Sequence, residues 1–315
     1  MKSGISVFFI MFITLTMLFG YGSQAAAVEV GLAWSGKSGM ADRVAAGFEK
    51  GIKELAPQIK VEYQKDLASM DDLAQTAAAW GKTKKGMVLI RSNAAEWLGS
   101  NKTAVPTFIG GCNHPGTLGA IRNLNAPEGN ITGVTYYLPH ETQFEIFTAI
   151  LPDMKSVLLL LGQGNPSTMV DQEGTKAACA KRGISYNEKF CTTVDEMVRA
   201  VNEFKGRVSA IIIGNQAIIM DNTVPIVAAA GKTPVVSFSN DAVKKGALCG
   251  FVADDEKLGY MLAESVVDVL VKGKAVKDVP VKVDPDPIFF LNSKTAQNLG
   301  IEVPYDILST AKIIE

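Results

Sequence analysis

From Val28 onward the chain alternates short β-branched runs with stretches that are apolar on one helical face, and it runs through this alternation twice. Near-continuous apolar strands separated by amphipathic helices require a mostly parallel sheet covered on both faces. Val28–Trp34 reads as a strand, followed by a helix with Val44, Phe48, Ile52 and Leu55 on one face. Strands at Ile59–Tyr63, Met87–Arg91, Val105–Ile109 and Gly119–Asn123 follow, with helices around Asp71–Trp80 and Ala94–Leu98. The pattern restarts after Pro152. Strands at Val157–Leu161, Ile184–Phe190, Val208–Ile213 and Val235–Phe238 alternate with helices through Gly174–Ala180, Asp195–Phe204, Asp221–Ala230 and Asp241–Gly246. The expected architecture is α/β, with two doubly wound lobes built on parallel sheets. The lobes join near Gly129–Tyr137. A second crossing is expected at Phe251–Asp254, before a long helix with Leu258, Leu262, Val266 and Val269 inward, and a third at Ile288–Asn292. This assigns residues 28–134 plus 255–287 to one lobe and 135–254 plus 288–315 to the other, joined by a multi-strand hinge.

The first 27 residues have a different composition. Lys2 precedes an apolar run from Ile5 to Phe19, and GYGSQAAA follows. A positive start, a short apolar stretch and small residues at an A-x-A-like site predict a signal peptide cleaved after Ala25 or Ala27. The run falls short of the ~20 residues of a membrane span. No cysteine follows it to carry a lipid, so the mature protein is expected to be exported and outside the membrane. The whole chain carries 31 basic and 32 acidic side chains, a balance that argues against a nucleic-acid partner.

Residues 31–38, GLAWSGKS, match the spacing of a phosphate-cradling P-loop. Position argues against that reading. A P-loop glycine follows a complete strand, whereas Gly31 falls inside one. No acidic residue ends SVLLLLGQ or SAIIIGNQ to hold a metal. Hydrolase chemistry is equally poorly supplied. The only histidines are His114 and His140; Cys112 lies two residues from His114 on one loop, and His140 follows Pro139 at a helix start, where a solvated side chain is expected. No cofactor, metal or catalytic set is expected. Cys112, Cys179, Cys191 and Cys249 fit no metal spacing; a Cys179–Cys191 bridge and four buried thiols are both open.

In doubly wound sheets, ligands sit beyond the carboxyl ends of the strands. The loops there are Ser35–Met40, Ser92–Asn93, Gly110–His114, Gly162–Thr168, Asn215–Gln216 and Phe238–Asp241, rich in short polar residues. Ser35, Gly36, Ser92, Asn93 and Asn113 are expected along one wall, and Gln163, Asn215, Ser239 and Asp241 along the other. Trp34 and Tyr136 are expected to add apolar contact. The alternative for each polar residue is a helix cap. Asp241 in particular is either a partner for a ligand ammonium or the cap of the helix that follows it.

Three segments carry a resemblance. GNITGVTYYLP (129–139), ETQFEIFTAILPDMKSVLLLL (141–161) and TPVVSFSNDAVKKGALCGF (233–251) resemble the substrate-binding proteins of ABC importers of the tryptophan/tyrosine type. FFLNSKTAQNLGIEVP (289–304) is similar to that family's closing strand and helix. The resemblance implies the type I periplasmic binding protein fold, a monomer, and partnership with a membrane permease driven by a separate ATPase. It implies an amino acid or related cargo, aromatic ones included, with its ammonium at Asp241 and its carboxylate on N–H and hydroxyl donors. Asp42, Gly47–Phe48 and Ser92–Ala95 fall on the family's pattern; Lys37–Gly39 and His114 depart from it, the latter standing where the family has an acid. A ligand sensor for a membrane signalling protein is one alternative. An exported enzyme, using His114 or Cys112, is another.

Overall fold

The computed structural model describes residues 28–315, so the expected signal peptide lies outside the described residues. The first lobe opens with β1 (Glu29–Ser35), α1 (Gly39–Leu55), β2 (Lys60–Leu67), α2 (Met70–Thr83), β3 (Gly86–Ile90), α3 (Ser92–Ser100), β4 (Thr107–Cys112) and β5 (Ile131–Thr135). The chain then enters the second lobe through α4 (His140–Ile150), β6 (Ser156–Gly162), α5 (Ser167–Arg182), β7 (Ser185–Cys191), α6 (Val194–Phe204), β8 (Ala210–Ile213), α7 (Ala217–Asp221), α8 (Thr223–Ala230), β9 (Val235–Ser237), α9 (Asn240–Lys244) and β10 (Cys249–Val252). It returns for α10 (Asp255–Leu270) and β11 (Lys282–Val283). It ends in the second lobe with β12 (Ile288–Asn292), α11 (Ser293–Leu299), α12 (Tyr305–Thr310) and β13 (Lys312–Ile314).

The first sheet runs β11-β5-β4-β3-β1-β2 with every pairing parallel. The second runs β13-β12-β10-β9-β8-β6-β7, parallel except where β12 meets β10. In each sheet the order of successive strands reverses at the strand that starts its lobe, between β1 and β3 and between β6 and β8. These are the switch points where doubly wound sheets open a crevice.

Both faces of each sheet are covered, as the continuous apolar strands require. On one face of the first sheet, Val30, Leu32 and Trp34 of β1 pack with Val44 and Phe48 of α1 and with Leu258, Leu262 and Val266 of α10. Those three α10 side chains are fully buried, which contributes about 1.5–3 kcal/mol each. Glycines set the α1–α10 spacing: a Cβ on Gly259 would lie 2.1 Å from the Val44 carbonyl oxygen, and one on Gly47 2.0 Å from that of Glu256. The opposite face carries α2 and α3 through Leu73, Trp80 and Leu98. Gly31 lies under the Trp80 ring, where a Cβ would sit 2.2 Å from Cε3. The first glycine of the P-loop-like stretch is therefore a strand residue making room for an indole. In the second lobe, Phe144 and Phe147 of α4 pack over one face and Met197 and Val201 of α6 over the other.

Several elements differ from expectation. Gly119–Asn123 forms turns, because Gly119 has φ +82 and its N–H closes a turn onto Gly116. The Asp221–Ala230 helix splits into α7 and α8 at Asn222, and β12 runs antiparallel to β10. The third crossing is the segment 284–287 just ahead of β12. There Asp284 is buried and accepts from the Asp254 N–H at 2.8 Å and from Lys257 Nζ at 2.9 Å, which ties two crossings together. All four cysteines are free and buried. Among the described residues, no helix is long and apolar enough to cross a membrane.

Candidate ligand-binding cleft

The carboxyl ends of β1, β3 and β4 face those of β6, β8 and β9 across a cleft of ≈ 800 Å³. It is lined from the first lobe by Ser92, Asn93 and Asn113, from the crossing after β5 by Tyr136, and from the second lobe by Gln163, Asn215, Ser239 and Asp241. These are eight of the eleven residues picked out from the sequence. The other three lie outside the lining, each for a physical reason. Trp34 is fully buried in the first-lobe core, its Nε1 donating to Asp66 at 3.0 Å. Its position in the β1 pleat turns it onto the α1–α10 face. Ser35 is buried behind Asn93, accepting from Asn93 Nδ2 at 2.8 Å. Gly36 has φ +71 and spends its N–H on Leu67 O, so it serves as a turn residue.

Ser92 joins the two walls. Its Oγ accepts from the Asn113 N–H at 3.0 Å and from Ser167 Oγ at 3.2 Å, and lies 3.4 Å from the Tyr136 hydroxyl. Tyr136 also reaches Ser167, at 3.3 Å. Asn113 donates from Nδ2 to Asp171 of α5 at 3.3 Å, a further bond between the lobes. Asn93 lines the cleft and does not cap α3: it sits inside the helix, where its Oδ1 accepts the adjacent Ala94 N–H at 2.9 Å, and the helix has no side-chain cap.

Asp171 is fully buried and absent from the sequence-based set. It accepts from the Asn215 N–H at 2.6 Å and from Gln216 Nε2 at 2.8 Å. Burial outweighs these donors and pushes its carboxyl up to about 6. His140 Nε2 stands 4.0 Å away. Expected in solvent, His140 is 4% exposed, because Tyr137 and Phe238 close over the start of α4. Burial lowers it to about 4, and neither ring nitrogen has a hydrogen-bond partner among the described residues. At neutral pH the imidazole is uncharged, so its approach to Asp171 is a dipole contact rather than an ion pair.

Asp241 does not cap α9; Ser239 does, accepting the Asp241 N–H at 3.2 Å. The Asp241 carboxylate is shared between Arg43, at 3.5 Å across the cleft, and Lys244, at 3.4 Å. Arg43 also holds Asp255 at 2.9 Å. The second cation missed is Arg91, at the carboxyl end of β3. Its Nη1 donates to the carbonyls of Ser35 and, at 3.2 Å, of Gly36. The legible signal was a charged residue directly after GMVLI, abutting a loop already singled out.

Residues 34–314 match the family described as ABC transporter substrate binding protein. The chain belongs to that family. A curated relative, the tyrosine-binding protein of Clostridioides difficile, is 24% identical over 270 residues, 83% of this chain and 77% of the relative. The ABC domain crystallised with L-Trp from Streptococcus pneumoniae superposes with a TM-score of 0.79 at 24% identity, covering 92% of this chain and all of that one. A ligand-free, open substrate binding protein with adhesive properties from Clostridium difficile gives 0.78 at 21%, covering 91% and 99%. These likenesses establish the type I periplasmic binding protein fold for this substrate-binding protein.

Proposed function

We propose that this protein is the periplasmic component of an ABC importer. The lobe formed by residues 28–134 with 255–287 closes against that of 135–254 with 288–315 around a small molecule, and the closed form presents its cargo to the permease and ATPase. Closure of this kind turns on a few crossing segments. The observation that carries the reading is the cleft itself, which lies at the switch points of both sheets and is bridged by hydrogen bonds from Ser92 to Ser167 and from Asn113 to Asp171. Ser92, Asn93 and Asn113 meet the cargo from one side, Gln163, Asn215, Ser239 and Asp241 from the other, and Tyr136 from the crossing between them. An amino acid or a related carboxylic acid is the first class to examine, since the relatives are named for tyrosine and crystallised with L-Trp.

The reading requires binding without turnover. The groups an exported enzyme would need are poorly placed for it. Burial pushes the Cys112 thiol up to about 12, and the His114 ring is committed elsewhere, its Nδ1 accepting the Thr117 N–H at 3.1 Å and its edge meeting Tyr137. The test is a thermal-shift screen of the purified protein against amino acids, organic acids, sugars and nucleosides. A ligand at 100 times its Kd adds ~2.7 kcal/mol of stability. If no class of small molecule raises the melting temperature, the proposal fails.

A further inference from the structure

The charges around the cleft are not balanced. Five cationic side chains line it, Lys37, Arg43, Arg91, Lys244 and Lys245, against three carboxylates, Asp221, Asp241 and Asp255, a surplus of two. Every one of those carboxylates already has a cation: Asp241 and Asp255 share Arg43, Asp241 also meets Lys244, and Asp221 meets Lys245 at 3.6 Å. A ligand ammonium entering here finds no free acid along the lining; Asp171, which has no cation, is fully buried behind Asn113 and outside that lining. Arg91 is the converse. No carboxylate lies within ion-pair distance of it among the described residues. Its two protein contacts, on Ser35 O and Gly36 O, engage Nη1 and leave the rest of the fork without a partner.

Arg91 is also held as a fixture. Its backbone has φ +91, a conformation that persists only when the surroundings impose it. Gly36 keeps space for the guanidinium, since a Cβ there would lie 2.8 Å from Nη1. A half-buried, unpaired guanidinium fixed on a cavity wall suits a planar, two-oxygen anion. Tyr137 and Phe238 line the same cavity and offer an apolar surface to the remainder of such a ligand. The unpartnered His140 is a second, independent mark of a polar occupant, because a buried polar group without a partner is costly.

Resting on the reading of this cleft as the cargo site, we infer that it selects an organic carboxylate lacking a free ammonium, gripped by the Arg91 guanidinium, over the corresponding zwitterionic amino acid.

The experiment is isothermal titration of the unaltered protein with matched compounds. The first set is 3-(4-hydroxyphenyl)propionate, L-tyrosine and tyramine; the second is indole-3-propionate, L-tryptophan and tryptamine. Aliphatic hydroxy acids, dicarboxylates and phenyl phosphate complete the panel. Within a matched set, the amine-free acid is expected to bind at least tenfold tighter than the amino acid, and the amine without a carboxylate not at all. Arg91→Lys, which keeps the charge and loses the fork, should weaken the best acid by roughly tenfold and Arg91→Gln by more. If either variant misfolds, the matched compounds on the unaltered protein still decide. An amino acid that binds as tightly as its amine-free analogue overturns the inference and leaves the transport reading standing. So does a tight response confined to sugars, nucleosides or phenyl phosphate. Absence of binding by every class removes both.

Discussion

Replacing His140 with Phe tests the electrostatics of the cleft floor. His140 lies edge-on to Phe238 at 4.9 Å and touches Tyr137, so a phenyl ring of similar width enters an aromatic environment. The substitution removes two ring nitrogens that have no partner among the described residues. In the folded protein the imidazole is lowered from 6.5 to about 4, by burial. The sign follows from linkage: the unfolded chain takes up a proton below its ordinary value, whereas the folded chain resists until about 4. Histidine at this position therefore weakens the fold progressively as pH falls from 6.5 to 4. At 1.36 kcal/mol per pH unit, that window is worth about 3 kcal/mol. Asp171 acts in the opposite sense. Its pKa is raised from 3.8 to about 6, again by burial, so its contribution is greatest at low pH and is lost as pH rises through that window. The two nearly cancel in the unaltered protein. His140→Phe should expose Asp171: the variant gains stability relative to the parent as pH falls from 7 to 4, by about 2–3 kcal/mol. Urea denaturation at half-unit pH steps measures the difference. A difference that stays constant across the window would mean that His140 is not a buried neutral imidazole, and the argument would be wrong.

Other outcomes follow from the packing. Gly259→Ala places a methyl 2.1 Å from Val44 O. The ~1 kcal/mol helix gain is outweighed by 1–3 kcal/mol of overpacking, so the melting temperature should drop; an unchanged one would contradict the close α1–α10 contact. Ser92→Ala removes the acceptor of the Asn113 N–H and the tie to Ser167. At about 1–3 kcal/mol for a stranded donor, ligand affinity should weaken about tenfold, and calorimetry showing no change would separate Ser92 from closure. The four thiols are buried and burial raises each of them, so they should resist an aromatic disulfide reagent in the native protein and react in 6 M guanidinium. Rapid native reaction would refute that burial.

The fold was legible because alternation is a global signal. Each apolar run from Val28 to Val252 has to be covered on both sides, and few architectures do that. The failures are local. β13 is three residues long and exposed at two of them, too short to show a period. Trp34 illustrates a deeper limit. In a sheet buried on both faces, every strand residue is apolar, so the pattern no longer reveals which side chain points toward a helix and which toward the crevice. The polar loops were recognisable because a strand's carboxyl end fixes where a loop emerges. Their pairings were not. That Asp241 meets Arg43 depends on how the second lobe sits against the first, and Asp171 lies on a helix whose sequence offers nothing to separate it from a surface acid.

The chain's return for α10 and β11 bears on how the molecule is made. One side of the first lobe's core consists of α1 packed on α10, and β11 completes the edge of the same sheet beside β5. A nascent chain that has emerged only as far as β5 has five strands and α1, but lacks the α10 side chains that complete the layer around Leu32, Phe48 and Phe108. The second lobe likewise waits for β12 and β13. Neither lobe can be finished until most of the polypeptide is available, so synthesis cannot proceed as one domain folding before the next begins. A chain wired in this way completes both cores together, near the end of its synthesis, rather than one after the other.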